Sequence, residues 1–137
     1  MKKKLNNKGF SLVELIIVIA IMAALVAILA PQYMKYVEKS RKQADANTAE
    51  EIFTACKIAA TDENMPGFTA TWNGSNLTIS ATTGTTASTA IAENLGKTAP
   101  DNVITIPRKS TVTVTNYVVV YTSGTNSSVT QSGGWWN

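Results

Sequence analysis

The strongest constraint on this chain is an unbroken apolar run near its amino terminus. Leu15 to Ala30 holds sixteen apolar residues in succession, and the uncharged stretch continues to Met34. In a helix, which rises 1.5 Å per residue, about twenty residues cross a hydrocarbon core of ~30 Å. Four lysines lie among residues 1–8. A basic segment ahead of such a run predicts an amino terminus in the cytoplasm and the following chain outside.

Composition narrows the class of protein further. Charged residues make up 15% of the chain, whereas a typical soluble domain has about 25%. This low share favours membrane, filament or extracellular material. Apart from the four lysines of residues 1–8, the chain has eight basic residues against nine acidic ones. No specific nucleic acid is therefore inferred as a partner.

The residue inventory argues against an enzyme. Histidine is absent and Cys56 is the one cysteine, which excludes a Ser-His-Asp triad and an intrachain disulfide. Carboxylates alone would suffice for a glycosidase, but Asp62 and Glu63 are neighbours at a predicted helix end, and the outer region is small for a sugar cleft. No Asp-rich calcium loop is visible. We expect no catalytic residue, no metal ligand and no cofactor.

Three interpretations of the apolar run compete. A secretory signal peptide has an apolar stretch of about 7–15 residues before a small-residue cleavage site. This run is longer and continues through Pro31 into a helical pattern, although Ala-x-Ala-like triplets occur. A plain membrane anchor is the second interpretation, and a more specific function is the third.

Glu14 argues against the plain anchor. A carboxylate inside a membrane segment costs a few kcal/mol and indicates a functional site. A position near the lipid headgroups, or at the positive end of the helix dipole, is the simpler explanation for its presence. Neither explanation assigns a function to the Glu14 carboxylate.

A specific motif surrounds this glutamate. Residues 8–15, KGFSLVEL, combine a short basic leader, glycine before phenylalanine, and glutamate at the fifth position after the glycine. The apolar helix and Pro31 follow. This combination covers about residues 1–60 and resembles the class III signal of type IV pilins, with a short leader like that of the type IVa group.

The resemblance implies a processing site. A prepilin peptidase would cut between Gly9 and Phe10 and then methylate the new amine of Phe10. Glycine suits the position because a backbone without a side chain lets the peptidase approach closely. Cleavage would remove residues 1–9, the leader.

The resemblance also implies that Glu14 acts in assembly. Pilin subunits stack with their apolar helices parallel in the filament core, so Glu14 of one subunit would meet the cationic Phe10 amine of its neighbour. Pairing turns the penalty for a buried charge into a contact that fixes the register between subunits. Pairing within the same subunit stays open as the alternative.

Pro31 interrupts the backbone hydrogen bonds of the long helix. It has no N–H, so it removes one i→i−4 bond and predicts a kink or local melting. Pilins have a proline at the corresponding place, and the resemblance implies that melting there lets a filament stretch. A kink without functional consequence is the simpler interpretation.

The chain is expected to contain four segments. These are the leader, residues 1–9; an apolar membrane and filament-core helix, residues 10–34; its amphipathic continuation, residues 35–61; and a β-rich head, residues 62–137. One continuous helix is predicted from residue 10 to residue 61. Apolar residues recur in it at spacings of three and four, which predicts a face packed on a sheet: Ala49, Ile52, Phe53, Cys56 and Ala59. Cys56 is interpreted as a small buried hydrophobe.

Threonine-rich strands dominate the head. Residues 68–72 and 77–80 flank Asn73-Gly74, which predicts a hairpin. Further strands are predicted over residues 103–106, 111–121 and 128–131, with a Thr/Gly loop at 82–86 and a turn at 123–126. A short helix is predicted from Ser88, as its N-cap, to Leu95, with Gly96 as its stop. The fold class is α+β: a long amino-terminal helix whose carboxy-terminal half packs on a small antiparallel meander of four or five strands, the pilin fold.

The carboxyl terminus departs from the family pattern. Many Gram-negative pilins carry a disulfide loop there, which a single cysteine excludes, and this favours a Gram-positive or otherwise thiol-poor lineage. Trp135 and Trp136 either pack back on the sheet or face a neighbouring subunit. The N-x-S/T triplets at Asn73, Asn76 and Asn126 are interpreted as chance occurrences in a Ser/Thr-rich chain.

The resemblance implies a structural function. The chain is expected to be the major pilin of a type IV pilus, serving adhesion, twitching motility, biofilm formation or DNA uptake. Its partners would be further copies in a helical filament, the prepilin peptidase, the assembly ATPase with its platform machinery, and the membrane. A single-pass precursor with a cytoplasmic amino terminus would become an extracellular filament. The alternatives are a minor pilin, a pseudopilin of a type II secretion or competence system, or a single-pass anchor for a ligand-binding domain.

Overall fold

The structure, a computed structural model, describes residues 9–81, 85–111, 116–124 and 128–133. The chain forms two compact units, Met1–Val37 and Glu38–Asn137. Helix α1, Leu12–Ala59, contributes its first part to one unit and its second part to the other. The predicted long helix is therefore confirmed, with each end two residues inside the expected one.

Local hydrogen bonds account for both ends of α1. At the start, the Ser11 carbonyl accepts the Leu15 N–H at 3.2 Å, so Ser11 stands in the position of an N-cap. At the end, the Thr61 hydroxyl donates to the Ile58 carbonyl at 2.6 Å. A threonine side chain that bonds the backbone in this way competes with a further helical turn.

The apolar side chains of the first unit are exposed. Every described residue from Gly9 to Tyr36 is exposed. The helix here is long and apolar enough, by length and composition, to cross a membrane. None of the described residues of this unit buries it, so water is an unfavourable environment for this apolar surface.

The second unit has a conventional buried core. Its helical part contributes a stripe at spacings of three and four, as the sequence predicts: Ala49, Ile52, Ala55, Cys56 and Ala59. Phe53, expected on the same face, is partly buried against this core. Trp72 is fully buried in the core, and its ring N–H donates to the Ile106 carbonyl at 2.8 Å.

A five-stranded antiparallel sheet packs on this stripe. Its strands are β1 Phe68–Trp72, β2 Asn76–Ala81, β3 Val103–Thr105, β4 Tyr117–Thr122 and β5 Ser128–Ser132. Their order across the sheet is β3-β2-β1-β4-β5, and every neighbouring pair is antiparallel. The long helix followed by this small sheet confirms the predicted α+β pilin fold.

The prediction of a simple meander is wrong at one connection. β4 pairs with β1, in the register Phe68 with Tyr121, and not with β3. The connection between β3 and β4 leaves the sheet and is bonded to α1 through Lys109 and Ser110. The chain can therefore return on the other side of β1.

The predicted hairpin is confirmed. Asn73 accepts the backbone N–H groups of Ser75 and Asn76 on its side-chain oxygen, both at 2.9 Å. Gly74 has a positive φ of 86°, which glycine adopts without the steric cost that a side chain brings. The Asn-Gly pair thus makes the turn between β1 and β2 for the physical reason that the sequence suggests.

Helix α2, Thr86–Asn94, confirms the predicted short helix but corrects its start. The N-cap is Thr85, and Ser88 lies in the first turn. The Ser88 hydroxyl is buried, 2.8 Å from the Thr85 carbonyl and 2.6 Å from the side-chain oxygen of Asn102. Ser88 therefore ties α2 to a distant loop and does not cap it.

Gly96 ends α2 as predicted. It has a φ of 62°, and its N–H donates to the Glu93 carbonyl at 3.0 Å while the Lys97 N–H donates to the Ala92 carbonyl at 2.8 Å. This pair of bonds is the Schellman motif, which needs a left-handed residue after the helix.

One predicted strand begins later than expected. Thr111 and Asn116 lie outside any strand, and β4 starts at Tyr117. Thr111 donates its backbone N–H to Glu38 at 2.8 Å, so it is bonded to α1 instead of a strand. Val112 and Val114, most of the predicted 82–86 loop, Asn126, Trp135 and Trp136 lie outside the described residues.

Candidate functional site

The predicted cleavage site lies in an open stretch of backbone. Gly9 and Phe10 precede α1, and the Phe10 side chain is 90% exposed. A β-carbon added at Gly9 would meet no atom within 4 Å. The packing of this chain therefore does not require glycine at position 9.

Glu14 lies in the first turn of α1. Its carboxylate accepts the backbone N–H of Ser11 at 2.9 Å. This is one half of a capping box, in which the third helical residue reaches back to the N-cap. The negative charge also sits at the positive end of the helix dipole, where it is favoured.

This contact gives Glu14 an intrachain partner close to the expected cut. The bonded amide belongs to Ser11, the residue immediately after Phe10. The carboxylate is thus already directed toward the end of the helix at which cleavage would create an amine. Its expected pairing with the Phe10 amine of a neighbour stays a prediction.

The surface around Glu14 is otherwise apolar. Phe10, Leu12, Val13 and Leu15 are each at least 60% exposed. The next charged residue along the chain is Lys35. A single carboxylate on an exposed apolar helix is costly in a membrane or helix bundle unless a cation or hydrogen-bond donors meet it.

Pro31 lies inside α1, and the helix continues through it to Ala59. Because proline has no N–H, the carbonyl of Ala27 lacks its usual helical donor. The predicted kink or melting at Pro31 stays a prediction.

Two acidic residues of α1, which local sequence patterns do not single out, bind the connection between β3 and β4 in the second unit. Asp45 is 1% exposed, and its two carboxylate oxygens accept the backbone N–H groups of Lys109 at 2.6 Å and Ser110 at 2.8 Å. Glu38, two turns earlier, accepts the Thr111 N–H at 2.8 Å. We call residues 107–111 the clamped loop. Hydrogen bonds from N–H groups to a carboxylate are shorter and stronger than those between neutral groups.

The sequence contains only a weak indication that Asp45 is buried and bonded to another part of the chain. Asp45 lies four residues before Ala49 and therefore on the same side of the helix as the apolar stripe. An acidic residue on a predicted core face needs a partner, because a buried charge without one is costly. Its partners are 64 and 65 positions away, so local patterns could not identify them.

Two titratable groups in the core are held in their protonated forms. Burial raises the pKa of the Cys56 thiol to about 12. The pKa of Tyr117 is also raised to about 12, first by burial and then by the charges of Glu50 and Cys56. The Tyr117 hydroxyl donates to the Gln131 side chain. Cys56 is therefore a packing residue, as predicted, with little thiolate at neutral pH.

No group of three or more histidine, cysteine, aspartate or glutamate side chains suited to a metal ion occurs among the described residues. The cavities there are open depressions, and one of about 610 Å³ lies between α1 and α2. The distinctive features are therefore the exposed apolar helix with its single carboxylate and the charged surfaces of the second unit.

Comparisons with known proteins agree with these features. The prokaryotic N-terminal methylation motif matches residues 4–30, which include Gly9, Phe10 and Glu14. The chain is 39% identical over 88 residues to the type IV major fimbrial protein FimA of Dichelobacter nodosus, covering 63% of this chain and 56% of that protein. No solved structure matches the chain significantly.

Two further relatives extend the comparison. The fimbrial protein EcpC of Eikenella corrodens is 35% identical over 109 residues, 67% of this chain and 71% of that protein. The type IV major pilin protein PilA of Myxococcus xanthus (strain DK1622) is 37% identical over 52 residues, 38% of this chain and 24% of that protein. The chain thus spans little more than half of FimA and about a quarter of PilA. From its motif, its helix with a small antiparallel sheet and its match across most of EcpC, the chain belongs to the type IV pilin family.

Proposed function

We propose that this chain is the major subunit of a type IV pilus. A prepilin peptidase cuts it between Gly9 and Phe10 and methylates the Phe10 amine, and the mature subunit polymerises through its apolar helix. The observation that carries this proposal is the fully exposed apolar helix, with one carboxylate one turn from the expected cut. The relatives named as major fimbrial or major pilin proteins support it.

The geometry at the cut supports recognition by an external enzyme. The space around Gly9 is free, so glycine is not explained by packing inside the chain. A peptidase that must bring its own groups against the backbone would require the absence of a side chain. The exposed Phe10 would then become the new amino terminus.

Glu14 would have two successive partners in this proposal. In the precursor its carboxylate accepts the Ser11 amide. In the filament it would also meet the methylated Phe10 amine of the next subunit, a cation that the cut creates. A charged pair inside an apolar bundle is far more favourable than either charge alone, so each subunit is held at one register.

The same helix would have two environments. In the membrane it spans the bilayer as a single-pass anchor with its amino terminus in the cytoplasm. In the filament it packs against the helices of other subunits outside the cell. The missing backbone bond at Pro31 would let the helix melt locally when the filament is stretched. Transfer between these environments requires an assembly ATPase and a membrane platform.

The filament would serve adhesion, twitching motility, biofilm formation or DNA uptake. The single cysteine favours a Gram-positive or otherwise thiol-poor lineage. The chain acts by assembly and is proposed to have no enzymatic activity.

Assembly by cells that carry altered chains tests this proposal. Glu14→Ala should leave cleavage at Gly9 largely intact and reduce sheared surface filaments by more than about ten-fold, because an unpaired amine would be left in the apolar core. Ser11→Ala is the matched control, since Glu14 contacts the backbone of Ser11 and not its side chain. Electron microscopy and immunoblotting of the sheared fraction give the readout. Normal filaments from Glu14→Ala would contradict the pairing.

A further inference from the structure

The basic residues of the second unit are concentrated in one region. Residues 38–137 contain seven basic residues. Five of them lie either on one stretch of α1 or in the clamped loop, and we call these five the basic cluster: Lys39, Arg41, Lys42, Arg108 and Lys109. Lys57 and Lys97 are the other two.

The fold brings the two halves of the basic cluster together. Glu38 and Asp45 are two helical turns apart on one face of α1. Glu38, the earlier of the two, accepts the N–H of Thr111, the later loop residue. Asp45 accepts the N–H groups of Lys109 and Ser110, which come earlier in the loop. Arg41 and Lys42 lie on the helix between these two bonds. The clamped loop therefore runs antiparallel along the same stretch of helix, and its cations join those of α1.

The two acidic residues that neighbour the basic cluster, Asp45 and Glu38, already have partners within the chain. Asp45 is buried with both oxygens on backbone N–H groups. Glu38 accepts the Thr111 N–H and lies 3.9 Å from Arg41. In the part of the chain that the structure describes, no ion pair is recorded for Lys39, Lys42, Arg108 or Lys109. Lys39, Arg41 and Lys109 are exposed, whereas Lys42 and Arg108 are half-buried, so the cluster presents an excess of positive charge through its exposed members.

A complementary surface lies further along the same helix. An open groove of about 610 Å³ runs between α1 and α2 and has two exposed carboxylates, Glu50 and Glu51, on its rim. Its remaining lining is uncharged: Asn47, Thr54, Ala55, Ile58, Asn94 and Leu95. We call this the acidic groove. Glu50 and Glu51 have no recorded ion pair in the described residues.

The two surfaces cannot satisfy each other within one chain. The groove occupies the exposed side of α1. Its lining residues on this helix recur at spacings of four, three and four, and all are exposed: Asn47, Glu51, Thr54 and Ile58. Asp45, which holds the clamped loop, shares its side of the helix with the buried stripe. The backbone of the clamped loop therefore lies on another side of α1 from the groove. Lys39 shares the side of Glu50 but lies eleven positions, roughly 16 Å, from it along α1, which is too far for an ion pair within one chain.

We propose that the basic cluster of one subunit docks in the acidic groove of a second copy and fixes the stagger between neighbouring heads. A surface that binds a different surface of an identical chain makes a head-to-tail contact, which repeats indefinitely and builds a filament. About ten residues separate the cluster from the groove along α1, so parallel helices shifted by roughly 15 Å bring them level. This inference rests on the proposed polymerisation and adds a contact between heads to the contact at Glu14.

The test uses charge reversal and charge exchange in the full chain, expressed in cells that lack their own copy. The cluster variant is Lys39→Glu with Lys109→Glu, and the groove variant is Glu50→Lys with Glu51→Lys. All four residues are exposed. The matched controls are Lys97→Glu and Glu63→Lys, which reverse exposed charges outside both surfaces. Sheared filament yield is measured, with amino-terminal mass and membrane level as evidence of a processed, stable subunit.

Each double variant should lower filament yield by at least about ten-fold, because like charges then face each other across the contact. The chain with all four substitutions should recover to within about three-fold of the wild type, since opposite charges again meet. The single controls should assemble normally. Recovery by the four-fold variant would also show that these substitutions leave the fold intact.

Other outcomes would overturn the inference. Normal filaments from both double variants would mean that the surfaces do not meet. A four-fold variant that assembles no better than either double variant would indicate a different anionic partner for the cluster, such as lipid headgroups. A wild-type chain that is neither cut at Gly9 nor found in surface filaments would contradict the proposed function itself.

Discussion

Asp45, near the middle of α1, accepts the backbone N–H of Ser110 at 2.8 Å across 65 positions of sequence. The other oxygen of the same carboxylate accepts the Lys109 N–H at 2.6 Å. One buried side chain therefore satisfies two backbone groups of the connection between β3 and β4. It also decides where the cations of that connection lie.

Removing this carboxylate should release the clamped loop. Asp45→Ala leaves two backbone N–H groups without their acceptor, and an unsatisfied buried group costs about 1–3 kcal/mol. We expect the free energy of unfolding to fall by about 3 kcal/mol. Denaturant titration of the full chain in detergent, followed by tryptophan fluorescence, measures the change. Hydrogen exchange at residues 109–111 should accelerate in the variant.

Glu51→Ala is the matched control for Asp45→Ala. It removes an exposed carboxylate from the same helix and should change stability by less than about 0.5 kcal/mol. Equal stabilities for the two variants would contradict the structural role of Asp45.

The buried stripe of α1 gives a second comparison on one helix. Ile52 is 0% exposed, whereas Ile58 is 51% exposed. Ile52→Ala should cost about 2–5 kcal/mol because it leaves a cavity in the core. Ile58→Ala should cost less than about 1 kcal/mol. The same denaturant titration separates them, and a larger loss at Ile58 would reverse the orientation of α1 on the sheet.

Stability should fall at high pH. The pKa of Cys56 is raised from 9.0 to about 12, and that of Tyr117 from 10.0 to about 12. The folded chain therefore retains protons that the unfolded chain has released. Stability from these groups is complete below pH 9 and is lost as the pH rises from 9 toward 12, at up to about 1.4 kcal/mol per pH unit for each group.

Cys56→Ala isolates the thiol in this experiment. The variant should lack the part of the loss that starts near pH 9 and retain the part that starts near pH 10, which belongs to Tyr117. Unfolding free energies at a series of pH values measure both. A wild-type chain whose stability does not change between pH 9 and 11 would contradict the burial of the two groups.

Gly9 offers a direct test of processing. Gly9→Val should leave the precursor uncut in the membrane, because a branched side chain blocks close approach of the peptidase to the backbone. The substitution meets no atom of the chain within 4 Å of its β-carbon, so folding should be unaffected. Immunoblotting of membrane fractions distinguishes precursor from product. A product that begins at Phe10 in this variant would contradict the assignment.

Local patterns predicted those parts of the fold that neighbouring residues determine. The stripe through Ile52 and Cys56 follows from helical spacing, and the β1–β2 turn follows from Asn73-Gly74. Gly96 ends α2 because the residue after the helix must adopt a positive φ, and glycine does so most easily, so its position in the sequence indicates the helix end.

The errors came from interactions between distant residues. Ser88 resembles an N-cap, but its hydroxyl lies beside Asn102, fourteen positions away, and the true cap is Thr85. β4 returns beside β1, and the connection that precedes it is bonded to Asp45, 64 positions from Lys109. A single sequence gives no information about such pairings.

For the segment that holds the expected cleavage site, the sequence indicates more about function than the fold does. The spacing of Gly9, Phe10 and Glu14 is read directly from the chain, and the methylation motif covers it. The structure added the bond between Glu14 and the Ser11 amide and the free space at Gly9. Both are local consequences of a helix that begins at Leu12.

Whether the chain is the processed major subunit of a filament is best decided by the mass of the amino-terminal peptide from sheared cell-surface material. We expect an abundant peptide that begins at N-methylated Phe10. The same peptide confined to membranes would contradict the role of major subunit and favour a minor pilin or a pseudopilin. A peptide that begins at Met1 would contradict processing, and with it the pairing proposed for Glu14.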